Sequence, residues 1–317
     1  MALDLLTLGE TLISLTAAEP GRIESVRTLR KTIGGTESNT AIGLARLGCK
    51  VAWLSRVSRD PFGEEILKVL RGEGVDVSAV VRVDGEPTGL MIKELRTPTE
   101  VHVHYWRRGS AAAGLGPEDV DDRLVASASR VHLTGITLAL GERPRATVHK
   151  VLRRCAELRI PVSFDPNLRR KLRPLAESVA DCQEVFPFVT DLLLGEPEAL
   201  ACTGEASLPA AVERLRGFGI PAVVVKRGLH GALGADAAEL VEEPADPSVV
   251  AVDAVGSGDA FNAGYLFGRL RGVGFRESIA TGNWVAGRVA GHPGDYEGLP
   301  TLAELEAHRG GSDPVER

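Results

Sequence analysis

The sequence predicts an α/β protein built on a parallel sheet covered by helices, and three observations lead there. From residue 51 onward, strand-like apolar runs alternate with helix-like stretches. Those runs are apolar on both faces, as strands buried between two helical layers must be. With 317 residues and 44% hydrophobic content, the chain has material for one large α/β domain, or two small ones, around a sizeable core.

Taken in order, the chain opens on two short apolar runs that read as strands, Leu3 to Leu8 ended by Gly9-Glu10, and Thr11 to Leu15 before Pro20-Gly21. Ile33-Gly34-Gly35-Thr36-Glu37-Ser38-Asn39 then leads into Ala41, Ile42, Leu44, Ala45 and Leu47 at helical spacing, with Gly48 as a C-terminal stop. Either Gly34-Gly35 only makes a turn, or it lets a ligand approach the backbone while Asn39 hydrogen-bonds that ligand. Further strands are expected at Val51 to Val57, Val131 to Thr134, Pro161 to Phe164, Asp191 to Leu194, Ala222 to Val225 and Val249 to Val252. Helices are expected at Glu64 to Gly72, Arg143 to Arg159, Leu208 to Gly217 and Ser278 to Ala290, the last carrying Asn283. In this architecture ligands bind beyond the carboxyl ends of the strands.

One region breaks the alternation. Gly89 to Leu95 and Glu100 to Arg107, joined by Arg96-Thr97-Pro98-Thr99, read as a hairpin. With Leu12 to Ile33 it forms a small projecting β layer, serving as a ligand lid or as an edge extension or subunit interface. Alternation places Val101, Val103, Tyr105 and Arg107 on one face, and His102, His104 and Trp106 on the other. Two histidines without a third ligand do not make a metal site, and an exposed face carrying them with Trp106 leads us to expect a lid-to-lid homodimer.

Three more segments sit where strands end. Phe164-Asp165-Pro166-Asn167-Leu168-Arg169-Arg170-Lys171-Leu172-Arg173 is densely basic, either a solvated helix face or a means of presenting one arginine to an anion. Val225-Lys226-Arg227-Gly228-Leu229-His230-Gly231-Ala232 is a strand-to-glycine transition that a plain hairpin turn would also explain. Val252-Asp253-Ala254-Val255-Gly256-Ser257-Gly258-Asp259-Ala260-Phe261 runs from an expected strand through two glycines into a helix. Consecutive N–H groups and the positive end of the helix dipole suit a phosphoryl group there. Asp259, in the first turn, either favours the helix start or accepts a proton from an attacking hydroxyl.

Composition excludes several classes. A net charge of −6 offers no general attraction to nucleic acid or acidic membranes. Cys49, Cys155, Cys182 and Cys202 are scattered, with no C-x-x-C pair, which argues for reduced thiols in a cytoplasm and against structural zinc. No signal-like or membrane-spanning apolar run is present, so a soluble, cytoplasmic protein is expected. The P-loop pattern is missing, Phe261 stands where a dinucleotide fingerprint has its third glycine, and there is no G-x-S-x-G elbow.

Gly34-Gly35 with Asn39 and Ala41 through Gly48, together with Asp253 through Phe261, closely resemble the two signature segments of the PfkB, or ribokinase-like, sugar kinases. The resemblance in layout covers nearly the whole chain. It implies a ribokinase-like three-layer α/β/α fold with a mostly parallel central sheet and a small β-sheet lid, from about 12–33 and 88–108. A single kinase domain would span 1–309, with 310–317 as a mobile tail. It further implies ATP, magnesium (Mg2+) and phosphoryl transfer to a hydroxyl of a small carbohydrate. Val103 to Arg107 with Ser110-Ala111-Ala112, His132 to Leu140 and Asp165-Pro166-Asn167-Leu168-Arg169 look most like 2-keto-3-deoxygluconate kinases. Fructokinases are near neighbours, so a neutral sugar is the alternative acceptor, and a sugar-binding protein without catalysis is the reading from another class.

Carried over by position, the resemblance makes Asp259 the base and Gly256, Ser257 and Gly258 an anion hole. Gly34, Gly35, Asn39, Tyr105, Arg107 and Arg169 would contact the sugar or sugar acid. Lys226, Gly228 and Gly231 match the nucleotide-side loop, Gly256 and Gly258 also face ATP, and Asn283 matches a position near the base. Glu198 matches the glutamate of an N-x-x-E motif that orders magnesium through water. Two departures stand out: Gly195 replaces that motif's asparagine, and Met91 stands where several ketodeoxygluconate kinases have tyrosine.

Overall fold

The structure, a computed structural model, describes residues 2–97, 100–247 and 249–311. β1 (Leu5–Leu8) lies in the main sheet, and β2 (Leu12–Ala17) and β3 (Leu29–Gly34) leave for a second sheet. α1 (Thr36–Arg46) returns to β4 (Val51–Leu54), and the short β5 (Arg56–Ser58), α2 (Pro61–Gly72) and β6 (Val81–Val83) follow. β7 (Leu90–Thr97) and β8 (Glu100–Trp106) form the expected hairpin, whose turn residues Pro98 and Thr99 lie outside the described residues. Alternation then runs through α3 (Asp122–Ala126), β9 (Val131–Thr134), α4 (Gly135–Ala139), α5 (Glu142–Leu158), β10 (Val162–Asp165), α6 (Leu175–Val185), β11 (Asp191–Gly195), α7 (Glu196–Thr203), α8 (Leu208–Arg216) and β12 (Ala222–Lys226). β13 (Ala232–Ala235), β14 (Leu240–Glu243), α9 (Ser257–Leu270), α10 (Phe275–Ala290) and α11 (Leu302–Arg309) complete the described elements.

The main sheet has the order β14-β13-β12-β11-β10-β9-β1-β4. It is parallel from β4 to β12 and antiparallel at the β12–β13–β14 edge. Apolar side chains on both faces explain the continuous runs read in the sequence. Leu5, Trp53 and Val224 pack under α1, α9 and α10, whereas Leu6, Val131, Phe164 and Val223 pack under α5, α6 and α8. The smaller sheet, β3-β2-β7-β8, pairs β2 with β7 in parallel and its other neighbours antiparallel, as a lid beside the main sheet's carboxyl end.

One expected strand is absent. Val249 to Val252 is irregular, and the Val252 and Asp253 N–H groups donate to the Ala290 carbonyl at the end of α10. The β13–β14 hairpin occupies the sheet edge that such a strand would need, so the glycine turn before α9 is approached from a loop. The expected single strand from Val51 to Val57 divides at Ser55, whose hydroxyl donates to the Gly9 carbonyl at 2.6 Å. All four cysteines are free and buried. Among the described residues no helix is long and apolar enough to cross a membrane. Of the expected tail, 312–317 lies outside the described residues.

Close helix packing sets up the site. α1 is buried from Thr36 to Leu44, and α9 from Asp259 to Gly268, as helices enclosed on every side are. A Cβ on Gly43 would come within 2.6 Å of the Ala263 Cβ, so glycine at 43 lets the two helices touch at backbone distance. That approach brings the first turns of α1 and α9 together beneath the lid.

Candidate active site

A cavity of about 780 Å³ opens between the lid, the N-termini of α1 and α9, and the carboxyl ends of β10, β11 and β12. At its floor the Thr36 hydroxyl donates to Oδ1 of Asp259, and the Asn39 amide donates to Oδ2 at 2.8 Å. Thr36 and Asn39 lie three residues apart on α1, hence on one face. Asn167, held at φ +39°, donates its amide to the Thr36 hydroxyl at 2.9 Å. Beside them Asp165 accepts from Lys226 Nζ and Asn262 Nδ2, each at 2.7 Å. Asn262 follows Asp259 by three residues, so this face of α9 carries both the carboxylate and its neighbour's partner.

Electrostatics separate the two aspartates. Burial pushes Asp259 up to about 6; hydrogen bonds from Thr36 and Asn39 oppose the rise and the Asp165 charge adds to it. Burial alone would raise Asp165 too, but the Lys226 ammonium and the Asn262 amide hold it below the usual carboxylate range. Deeper still, Glu37 accepts from the Thr134 and Thr137 hydroxyls at 2.6 Å, and burial pushes it up to about 7. Asp259 is thus ionised near neutral pH yet close to its protonation point, as suits a base.

The glycine turn leads into α9, from a loop instead of the expected strand. Gly256 caps α9 at φ +79°, and a Cβ there would lie 2.0 Å from the Asp295 carbonyl oxygen, so only glycine fits. Ser257 turns both its N–H, at 3.3 Å, and its hydroxyl, at 2.6 Å, to the Ala254 carbonyl. It therefore fixes the turn, and the N–H groups of Gly258 and Asp259 lie in the first turn of α9, where no preceding intrahelical carbonyl meets them. Lys226 Nζ lies 3.7 Å from where a Cβ on Gly258 would be, which sets a positive charge beside them.

Across the cavity, Val103 and Tyr105 on β8 and Arg107 just after it face inward, as alternation required. The Arg107 guanidinium lies 5.5 Å from the Tyr105 ring centre and donates from Nε to Glu10 at 2.6 Å. Glu10 also accepts from the Ser110 hydroxyl. Sequence reasoning had taken Glu10 only as the end of a strand. Arg169, on the loop after β10, lines the same cavity and is exposed. Gly34 ends β3 of the lid and Gly35 follows it, and a Cβ on Gly34 would meet the Met91 methyl at 2.6 Å. His102 and His104 point the other way, bonded to Glu100 and Glu94, while Trp106 is 57% exposed.

The far end of the cavity is largely apolar. Leu229, Val249, Ala251, Ala286 and Ala290 give it an apolar wall, closed by the Gly228–Gly231 turn between β12 and β13. Asn283 lines it too, and its amide donates to the Glu243 and Pro244 carbonyls at 3.0 and 3.1 Å. Glu198 accepts the Gly195 N–H at 2.8 Å and the Leu168 N–H at 2.7 Å. Burial, then the Asp165 charge, raises its carboxyl against the pull of Lys226. Gly195 takes the N-cap of α7, where glycine and asparagine are both favoured, so replacing asparagine leaves the helix intact.

Residues 2–302 match the model of the pfkB family carbohydrate kinases. The 2-dehydro-3-deoxygluconokinase of Bacillus subtilis (strain 168) is 34% identical over 308 residues, covering 96% of this chain and 95% of that protein. The 2-dehydro-3-deoxygalactonokinase of Haloferax volcanii is 33% identical over 322 residues, covering all of both. Among solved structures, a PfkB protein from Polaromonas sp. JS666 superposes with a TM-score of 0.89 at 34% identity, covering 96% of this chain and 100% of that one.

Proposed function

This chain belongs to the pfkB family of carbohydrate kinases and is an ATP-dependent kinase, and we propose that its acceptor is 2-dehydro-3-deoxygluconate, phosphorylated on the terminal hydroxyl. The observation that carries the choice is the pair Arg107 and Arg169 lining the cavity that holds Asp259. Guanidinium groups suit a substrate carboxylate through paired, charge-assisted hydrogen bonds, whereas a neutral sugar has no use for two. Names of relatives support the same reading.

Asp259 receives the proton of the attacking hydroxyl while Thr36 and Asn39 hold its carboxylate in place. The first-turn N–H groups of α9 and the Lys226 ammonium stabilise charge on the transferring phosphoryl group. Tyr105 and Arg107 close over the acceptor from the lid, and Arg169 meets its carboxylate from the main body. Magnesium, held through water at Glu198, would neutralise phosphate charge. The donor chemistry fits that ion: Glu198 and Asp165 are carboxylates lining the same cavity, and magnesium commonly relies on one or two carboxylates plus water and phosphates.

Glu10 favours a second reading. Because it already compensates Arg107, a neutral sugar such as fructose would meet less unpaired charge than Arg107 alone suggests. ADP formation against a panel of sugar acids and neutral sugars separates the two: the sugar acid should give the higher kcat/KM, and a preference for fructose would reject the proposal. We also retain pairing of two lids through the face bearing Trp106, to be checked by sedimentation equilibrium.

A further inference from the structure

Glu37 is a carboxyl buried without a cation. It lies in the first turn of α1, one residue past Thr36, and is fully enclosed. The Thr134 and Thr137 hydroxyls both donate to its Oε1 at 2.6 Å, whereas Oε2 is buried with no hydrogen-bond partner among the described residues. The charge that acts on it is a second carboxylate, Asp259 on α9.

Its surroundings tie it to one wall of the cavity. Gly9, just past β1, makes room for it, because a Cβ there would fall within the carboxyl group. Glu10, next along, turns its own carboxylate to Arg107 and Ser110. Thr134 caps α4 by accepting the Ile136 N–H at 3.2 Å, and Thr137 lies within the first turn of that helix. Glu37 thus grips α4 at two points. Ile136 lines the cavity, and Gly135 beside it packs so closely on the Pro166 carbonyl that no Cβ would fit. From Pro166 the chain continues into Asn167 and Arg169, which line the cavity as well.

We propose that Glu37 is a positioning residue for the acceptor site: the neutral acid holds the first turn of α4, and with it Ile136 and the loop that bears Arg169. The proposal rests on the kinase reading above. A dry pocket with no cation strongly disfavours an anionic oxygen that lacks a donor, so the group keeps its proton instead. Burial, helped by the Asp259 charge, outweighs the two hydroxyls and the residue's own N–H, and titration falls at about 7. Above that pH the ionised group requires a donor or a water at Oε2, and the pocket around it must open to admit one. The α4 wall then shifts, and the acceptor is held less well while ATP is not affected.

The test measures KM for acceptor and for ATP on either side of pH 7 in wild type, Glu37→Gln and Thr137→Val, with the acidic point kept above 6 so that Asp259 stays ionised. The acceptor is the best substrate of the panel of sugar acids and neutral sugars. In wild type its KM should rise roughly tenfold from the acidic to the alkaline side, the scale of one disrupted buried hydrogen bond, with the ATP KM unchanged. Glu37→Gln keeps the accepting oxygen and cannot ionise, so its acceptor KM should stay near the acidic wild-type value on both sides. Thr137→Val takes one donor from the anion, so there the rise should move to higher pH. A second readout needs no acceptor: the infrared difference spectrum, wild type minus Glu37→Gln, should carry a protonated-carboxyl stretch that fades as pH passes about 7. Failure to phosphorylate 2-dehydro-3-deoxygluconate would therefore reject that substrate and leave Glu37 tested. A wild-type acceptor KM that is flat through pH 7, a rise that persists in Glu37→Gln, or a missing carboxyl band would overturn the proposal. If Glu37→Gln does not fold, Thr137→Val decides, and an undisplaced rise in that variant overturns it.

Discussion

Asn39 on α1 donates its side-chain amide to Oδ2 of Asp259 on α9 at 2.8 Å, across 220 residues of sequence. Together with Thr36 it opposes the rise that burial imposes on that carboxyl, which titrates at about 6. A base must be ionised, so kcat should fall as pH drops through about 6. Asn39→Ala removes one opposing bond, and the acidic limb should move upward by roughly one pH unit. A pH profile with an unmoved limb would separate Asn39 from the titration of the base.

The same carboxyl links stability to pH. Its folded value, about 6, lies above the ordinary 3.8, so its contribution is fully present below pH 3.8 and is lost as pH rises through about 6. Asp259→Asn has no such loss. Relative to wild type, the variant should gain stability across that window, by up to about 3 kcal/mol at about 1.4 kcal/mol per pH unit. Urea unfolding at one pH below 3.8 and one above 6, which bracket the window, gives the difference; equal differences at both would contradict the buried, raised carboxyl.

The two arginines should fail differently. Arg169 is exposed, so Arg169→Ala should raise KM for the sugar acid roughly ten- to a hundredfold, the scale of a charge-assisted pair, with little change in Tm. Arg107→Ala should raise KM as well, but it also leaves Glu10 buried without its cation, so Tm should fall. Steady-state kinetics beside calorimetry distinguishes them. For fructose, neither substitution should change KM appreciably.

Gly256→Ala addresses the turn. At φ +79°, with the Asp295 carbonyl 2.0 Å from the new Cβ, the first turn of α9 must shift. Misplacement on the ångström scale should lower kcat by about 100-fold. A fully active, stable Gly256→Ala enzyme would show that this turn does not form the anion hole.

Much of this was legible in the chain. Alternating apolar runs reported the central sheet because strands buried on both faces are mostly apolar, and the glycines at 256 and 258 reported the tight turn into α9. Val249 to Val252 misled because Val249 and Ala251 line the cavity while Val250 and Val252 are exposed and the Val252 N–H bonds the end of α10, and a run of four cannot tell that arrangement from a strand. Thr36 and Asn262 were within reach, since each lies three residues from a residue already chosen, Asn39 and Asp259, on the same helix face. Glu10 was not: its partner Arg107 lies 97 residues away, and only the placement of the lid brings them together.

The central claim is that Asp259 takes the acceptor's proton during phosphoryl transfer. Asp259→Asn keeps the size of the side chain and removes its basicity, so kcat with 2-dehydro-3-deoxygluconate and ATP should fall roughly 10²–10⁴-fold while both KM values stay within a few-fold of wild type. Turnover near the wild-type rate in that variant would contradict the assignment.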